Sequence, residues 1–204
     1  MRSRSATLET AILGLLADSP LHGYELRKRL NLVLGSFRAF SYGSLYPCLK
    51  TMAGRGLIVG SEASDAKPHA LSAKRARIVY TITAAGQEAL GAVLASAGPS
   101  SWEDDSFDVR FALFSLTDVE TRIKILEGRR SRLTERLESA KENGAEHTNR
   151  LDEFTSELQR HSFERVEREV RWLDSLINTE RERRRVRPIN AGTTDPGDHV
   201  KEQG

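Results

Sequence analysis

The sequence predicts a mainly α-helical chain with one small β-hairpin, built in two parts. Three observations carry this: helical apolar spacing at both ends of the chain, one short stretch of extended period between them, and a break at Gly98-Pro99-Ser100-Ser101. With 204 residues, 38% of them apolar and 29% charged, there is chain enough for two small cores.

Leu8, Ile12, Leu15 and Leu16 share one helical face, and Asp18-Ser19-Pro20 ends that helix. A second helix starts from Tyr24, with Tyr24 itself, Leu26, Leu30, Val33 and Leu34 available to a core and Gly35 as its stop. The third runs from about Ser41 to Ala53 on Leu45, Leu49 and Met52. Pro47 lacks the N–H that a helix interior needs, so the regular part is expected to begin near Ser44 or to kink there.

After Gly56 the period turns extended. Leu57-Ile58-Val59 and Arg77 to Thr83 read as two strands, and the polar stretch Ser61 to Lys74 between them as a long hairpin loop. Thr83 is placed to cap a fourth helix, Ala84 to about Ala95. The expected division is therefore 1–98, 99–187 and a disordered tail over 188–204, where Pro, Gly and charged residues dominate.

In the second part, Phe107 to Leu116, including Phe111, is a short apolar segment, and Thr117 or Asp118 can cap the next helix. From Val119 the positions Ile123, Leu126, Leu133 and Leu137 keep a heptad-like spacing, which Asn143-Gly144 is expected to interrupt. A second long helix from about Thr148 to Arg185 carries Leu151, Phe154 and Leu158, then Phe163, Val166, Val170, Leu173 and Ile177, with a register slip between Leu158 and Phe163. Two antiparallel helices fit this pattern. Their apolar seam, with Phe111, exceeds what a two-helix hairpin covers, so these residues are expected to form a homodimer interface.

Charge separates the two parts. Residues 1–100 hold 12 Lys and Arg against 6 Asp and Glu; the remainder holds 19 against 23. The basic part is the candidate partner of a polyanion, since neutralising phosphates releases counterions. Three helices, a hairpin and a further helix form the order of a winged helix-turn-helix, in which the third helix enters the major groove and the hairpin wing lies beside it. Ser41, Tyr42, Ser44, Tyr46 and Lys50 on the third helix, and Lys67, Lys74, Arg75 and Arg77 with Tyr80 on the wing, supply hydroxyls and cations suited to double-stranded DNA.

Four short motifs support that reading. His22-Gly23-Tyr24-Glu25-Leu26, Gly43-Ser44-Leu45-Tyr46-Pro47-x-Leu49, Gly56-Leu57-Ile58 and Arg77-x-x-Tyr80-x-Ile82-Thr83-x-x-Gly86 resemble, in order, the signatures of PadR-like regulators over about residues 6–97. The resemblance implies a dimeric winged-helix repressor of its own or a neighbouring operon, and DNA-facing roles for Tyr24, Ser44, Tyr46, Lys50 and the wing cations. The wing loop is longer than in short members of that family, and Lys50-Thr51-Met52-Ala53 replaces a common Arg-Leu-Glu run.

Trp102 and Trp172 are the candidates for a small aromatic effector. No cofactor is expected: a single cysteine, Cys48, and five scattered histidines give no metal-ligand spacing, and there is no phosphate loop or nucleophile elbow to suggest an enzyme. No apolar stretch reaches the roughly 20 residues of a membrane span, so the cytoplasm is the expected compartment. The competing reading is a helical adaptor whose winged helix contacts protein rather than DNA.

Overall fold

The computed structural model describes residues 2–34, 42–62, 78–147 and 152–186. The order is α1 (Arg2–Asp18), β1 (Leu21–His22), α2 (Gly23–Leu34), α3 (Tyr42–Gly54), β2 (Ile58–Glu62), β3 (Ile78–Ile82), α4 (Ala84–Ala95), α5 (Asp104–Ala112), α6 (Val119–His147) and α7 (Glu153–Val186). Single 3-10 turns flank α5 at Pro99–Ser101 and Phe114–Leu116.

The apolar spacing of α1 to α3 is used as expected. Ile12, Leu26, Leu30, Leu45, Leu49 and Met52 are fully buried in one core, joined by Ile58 and Leu57 from the start of the sheet and by Leu90 of α4. Helix α3 starts at Tyr42, before the expected Ser44, and runs through Pro47. The proline removes one donor in the second turn, and the residue four before it is Gly43, which has no side chain to add to the crowding. At its other end, Gly56 takes the left-handed region at φ 71°, and the N–H groups of Gly56 and Leu57 bond back to the carbonyls of Ala53 and Met52 at 3.0 Å each. This turn satisfies carbonyls that a helix end leaves open and folds Leu57 into the core.

The sheet is antiparallel in the order β1-β3-β2, with Ile58 opposite Ile82 and Leu21 opposite Tyr80. The two-residue strand β1 adds an edge that a hairpin alone lacks. Where β3 ends, Thr83 ties the parts together: its hydroxyl accepts from the Gly86 N–H at 3.1 Å and lies 2.6 Å from the Gly56 carbonyl, to which it donates. Gly86 packs directly on this turn. A Cβ there would sit 2.1 Å from the Leu57 carbonyl oxygen, so only glycine lets α4 approach.

Helices α6 and α7 form an antiparallel hairpin, its sense set by ion pairs that run in opposite directions along them: Glu120 with Arg184, Glu127 with Arg181, Arg130 with Asp174 and Lys141 with Glu167. Asp118 caps α6 by accepting from the Thr121 N–H at 2.9 Å. Contrary to expectation, α6 continues through Asn143 and Gly144 to His147. One internal glycine costs only about 1 kcal/mol in a helix, too little to stop one that is long and packed. Helix α7 begins at Glu153, behind Asp152, whose carboxylate accepts from the N–H groups of Phe154 and Thr155 at 3.0 Å.

Helix α5 belongs to both cores. Val109 and Leu113, beyond the expected boundary at 98, complete the core of the first part, while Phe107 sits in the second with Ile125, Leu126, Leu133, Leu173 and Ile177. Arg110, 4% exposed, faces the end of α4 and donates to the carbonyls of Val93, Leu94 and Ser96. These are the acceptors at the negative end of a helix, where a guanidinium is favoured, and burial lowers its pKa.

The seam expected to dimerise is therefore largely consumed inside one chain. Leu133, Leu173 and Ile177 are 4%, 0% and 1% exposed, and Phe111, Val166 and Val170 pack against them. The correction has a simple cause. A hairpin of two helices leaves out α5, whose Phe107 and Phe111 form a third wall over the proximal half of the seam. Leu137 and Phe163 stay partly exposed and Leu158 is 65% exposed. The expected tail at 188–204 lies outside the described residues.

Candidate nucleic-acid interface

Helix α3 divides cleanly into two faces. Leu45, Cys48, Leu49 and Met52 turn inward, while Ser44, Pro47, Lys50 and Thr51 turn outward at steps of three or four residues. The inward side chains fix the helix by burial, so the outward ones need no part in the core and are presented on a rigid support. Burial also pushes the Cys48 thiol up to about 11, with Glu9 adding to the shift and Arg55 opposing it. It is a core residue rather than a reactive one.

Beside α3, the start of α2 presents Tyr24, 58% exposed, with Lys28 one turn further on the same helix. The approach of α2 to α3 depends on Gly23. A Cβ there would lie 3.2 Å from the Tyr46 hydroxyl, so the glycine and the half-buried tyrosine set the spacing of the two helices. Tyr46 thus serves the α2–α3 contact as well as standing next to the outward face.

The predicted site residues separate accordingly. Tyr24 on α2 and Ser44 and Lys50 on α3 are each exposed, and Tyr46, against Gly23, is half-buried. Tyr80 is not among them, and this corrects the sequence reading: it is 8% exposed, on the central strand, in the core of the first part. Burial, and then the neighbouring Tyr46, raise its pKa. The tyrosine in the strand motif is a packing residue because β3 lies between β1 and β2. Ser41, Lys67, Lys74, Arg75 and Arg77 lie outside the described residues, as does the side chain of Tyr42.

The two tryptophans have packing partners. Trp102 lies across Gly128 of α6, where a Cβ would come within 2.1 Å of its ring, and its carbonyl accepts from Arg129 at 3.0 Å. Trp172 lies tilted at 5.2 Å from Phe111 and edge-on at 6.3 Å from Phe107, yet keeps 42% of its surface exposed. It borders a groove of about 690 Å³ between α5, α6 and α7, lined by Phe107, Phe111, Leu137, Phe163 and Val166. The groove floor holds Arg129, which pairs with Asp104 at 2.5 Å and Glu169 at 2.8 Å and lies over the Phe107 ring. Sequence reasoning missed Arg129 because one arginine among many on a charged helix carries no signal; only the return of α5 and α7 encloses it.

Residues 12–92 match the transcriptional regulator PadR-like family. This segment belongs to the PadR-like family. It spans α1 to α4, so the four motifs fall at the α2 start, the α3 face, the left-handed turn and the Thr83–Gly86 joint of one PadR-like unit. Among solved structures, the chain is similar to Bacillus subtilis PadR in complex with operator DNA (21% identity, 85% of this chain and 98% of that one, TM-score 0.41). It is also similar to the PadR-like transcriptional regulator from Bacillus cereus (16%, 86% and 99%, TM-score 0.38) and to the virulence activator AphA from Vibrio cholerae (23%, 86% and 94%, TM-score 0.34). No curated protein matches the chain. Among the described residues, no helix is long and apolar enough to cross a membrane.

Proposed function

We propose that this chain is a sequence-specific, double-stranded-DNA-binding transcriptional regulator that works as a homodimer, repressing its own or a neighbouring operon. The observation that carries the proposal is the outward face of α3 in the PadR-like region, where Ser44 and Lys50 stand clear of a fully buried opposite face, with Tyr24 alongside. A helix so held fits a major groove about 12 Å wide, where a lysine can reach guanine and a hydroxyl can reach either phosphate or base. Strands β2 and β3 lead directly into the segment 63–77, whose Lys67, Lys74, Arg75 and Arg77 would contact the backbone as a wing. Residues 1–98 would bind DNA and 99–187 hold the dimer, with Trp172 at the mouth of the groove as the contact for an aromatic effector. Trp102, seated on Gly128, has less room for one.

Mobility shift with the chain's own upstream region tests this. Retardation should be selective for that duplex over a scrambled one. Lys50→Ala should change the preference among sequences, whereas Lys74→Ala, Arg75→Ala or Arg77→Ala should weaken all duplexes and flatten the slope of log affinity against log salt by about 0.9 per lost phosphate contact. Equal retardation of every duplex, unaffected by Lys50→Ala, would refute sequence-specific reading by α3.

A further inference from the structure

The outward face of α3 can read a sequence only if the helix is held at a fixed angle, and its two ends are held differently. Near its start, Tyr46 lies against Gly23 of α2. Toward its end the inward side chains are Cys48 and Met52, whose sulfurs lie 3.8 Å apart. Such sulfur side chains fill space adaptably and fix no direction. The directional contact at this end is an ion pair. Arg55, in the turn that leaves α3, donates from Nη1 to Glu9 of α1 at 2.7 Å, and its own backbone N–H bonds back to the Thr51 carbonyl at 3.0 Å. Glu9 keeps only 19% of its side chain exposed, and the two charges act on the Cys48 thiol in opposite directions, which sets the pair at the seam between α1 and α3.

We infer that Glu9 and Arg55 are positioning residues for DNA recognition: their ion pair sets the tilt of α3, and so the preference among sequences, without itself touching the duplex. This rests on the DNA-binding reading above and adds two residues that the DNA-facing set does not contain. Lys50 lies four residues beyond Tyr46 and Arg55 nine, about 6 Å and about 13.5 Å along the chain at helical rise. A swing of about 1 Å at Arg55 around the Tyr46 contact therefore moves Lys50 by about 0.4 Å, close to the roughly 0.5 Å within which a recognition site must be held. Arg55 is 55% exposed, and an ion pair of that kind contributes little to stability. Its loss should accordingly be read in the angle of α3 and not in unfolding.

The test is the ratio of affinities of the full-length chain for its own upstream duplex and for a scrambled one. Glu9→Gln and Arg55→Ala should each lower that ratio by about fivefold or more, the low end of what one base contact is worth. The thermal unfolding midpoint and the slope of log affinity against log salt should stay near those of the wild type. Arg55→Lys, which can keep the pair as a point charge, should hold the ratio within about twofold. Reversing the pair, with Glu9→Arg and Arg55→Glu together, should recover most of what either single variant loses. Were Arg55 a phosphate contact, the single variants would move apart: Arg55→Ala would weaken every duplex and flatten the salt slope by about 0.9, while Glu9→Gln would tighten every duplex. That result, or a ratio unchanged in both single variants, overturns the positioning role and leaves recognition by α3 standing. A wild-type chain that binds the two duplexes equally overturns both.

Discussion

The PadR-like region and the α6–α7 hairpin are of similar size and solve stability differently. In the first, α1 to α4 and the sheet converge on one apolar core, and Leu26, Leu45 and Met52 lose all contact with solvent. Ion pairs are peripheral there: Arg55 with Glu9 at 2.7 Å and Arg29 with Asp18 at 3.8 Å are both on the surface. The hairpin has a narrow seam of Ile125, Leu126, Leu133, Leu173 and Ile177, and charge pairs line both sides of it. One region depends on shape, the other on shape plus a charged border. They should therefore fail under different perturbations.

The largest effect expected is on the shape-dependent side. Gly86→Val places atoms against the Leu57 carbonyl, which is backbone and cannot swing away, and should cost about 3 kcal/mol or more. Urea unfolding followed by circular dichroism measures it. A loss below about 1 kcal/mol would mean that the Thr83–Gly86 joint is not what seats α4.

A smaller loss is expected for Arg129→Met in the hairpin. The guanidinium is buried, but Asp104 is 57% and Glu169 32% exposed, so both carboxylates regain water when the arginine is removed. About 2 kcal/mol is expected rather than the 3–5 of a fully buried pair, and Trp172 fluorescence should report it, since Arg129 lies over the neighbouring Phe107. No change in the hairpin's stability would show that its charged border is ornamental.

The smallest effect is the pH response, and it should appear on one side only. Burial raises the Asp104 pKa, but hydrogen bonding and charge from Arg129, with Arg136 and Arg132, outweigh it and hold the group below its ordinary 3.8. A carboxyl whose folded pKa is depressed stabilises the fold above its unfolded value, and that contribution fades as pH falls through the folded one. Acid should thus loosen the hairpin below about pH 3.8. Both tryptophans, Trp102 and Trp172, lie in this part of the chain, so their emission tracks it selectively. Arg129→Met should flatten the acid response, and an unaltered titration would exclude Asp104 as its source.

Much of the first region was legible because its signals are local. Thr83 ahead of an apolar helix marks a cap, Gly56 marks the change from helical to extended period, and the four-three spacing of Leu45, Leu49 and Met52 marks one buried face. What escaped was non-local or too short. Strand β1 is two residues and exists only because β3 offers an open edge. Tyr80 reads as a wing residue until β3 proves to be the central strand. Pro47 and Gly144 are helix breakers by propensity, yet α3 and α6 pass through them, since packing along a whole helix outweighs one unfavourable position.

By itself the sequence determined the elements, their caps, the order that makes a winged helix and the outward polar face of α3, all of which depend on neighbours within a turn or two. Tertiary structure alone decided where α5 goes. The helix and its C-cap divide between two cores, with Val109 and the capping Leu113 on one side and Phe107 on the other, and Arg110 holds the end of α4. No periodicity encodes that division, because it depends on surfaces contributed by α1, α6 and α7 from distant parts of the chain. The same placement leaves Phe154 and Leu158 uncovered, since α5 is too short to reach along the whole hairpin.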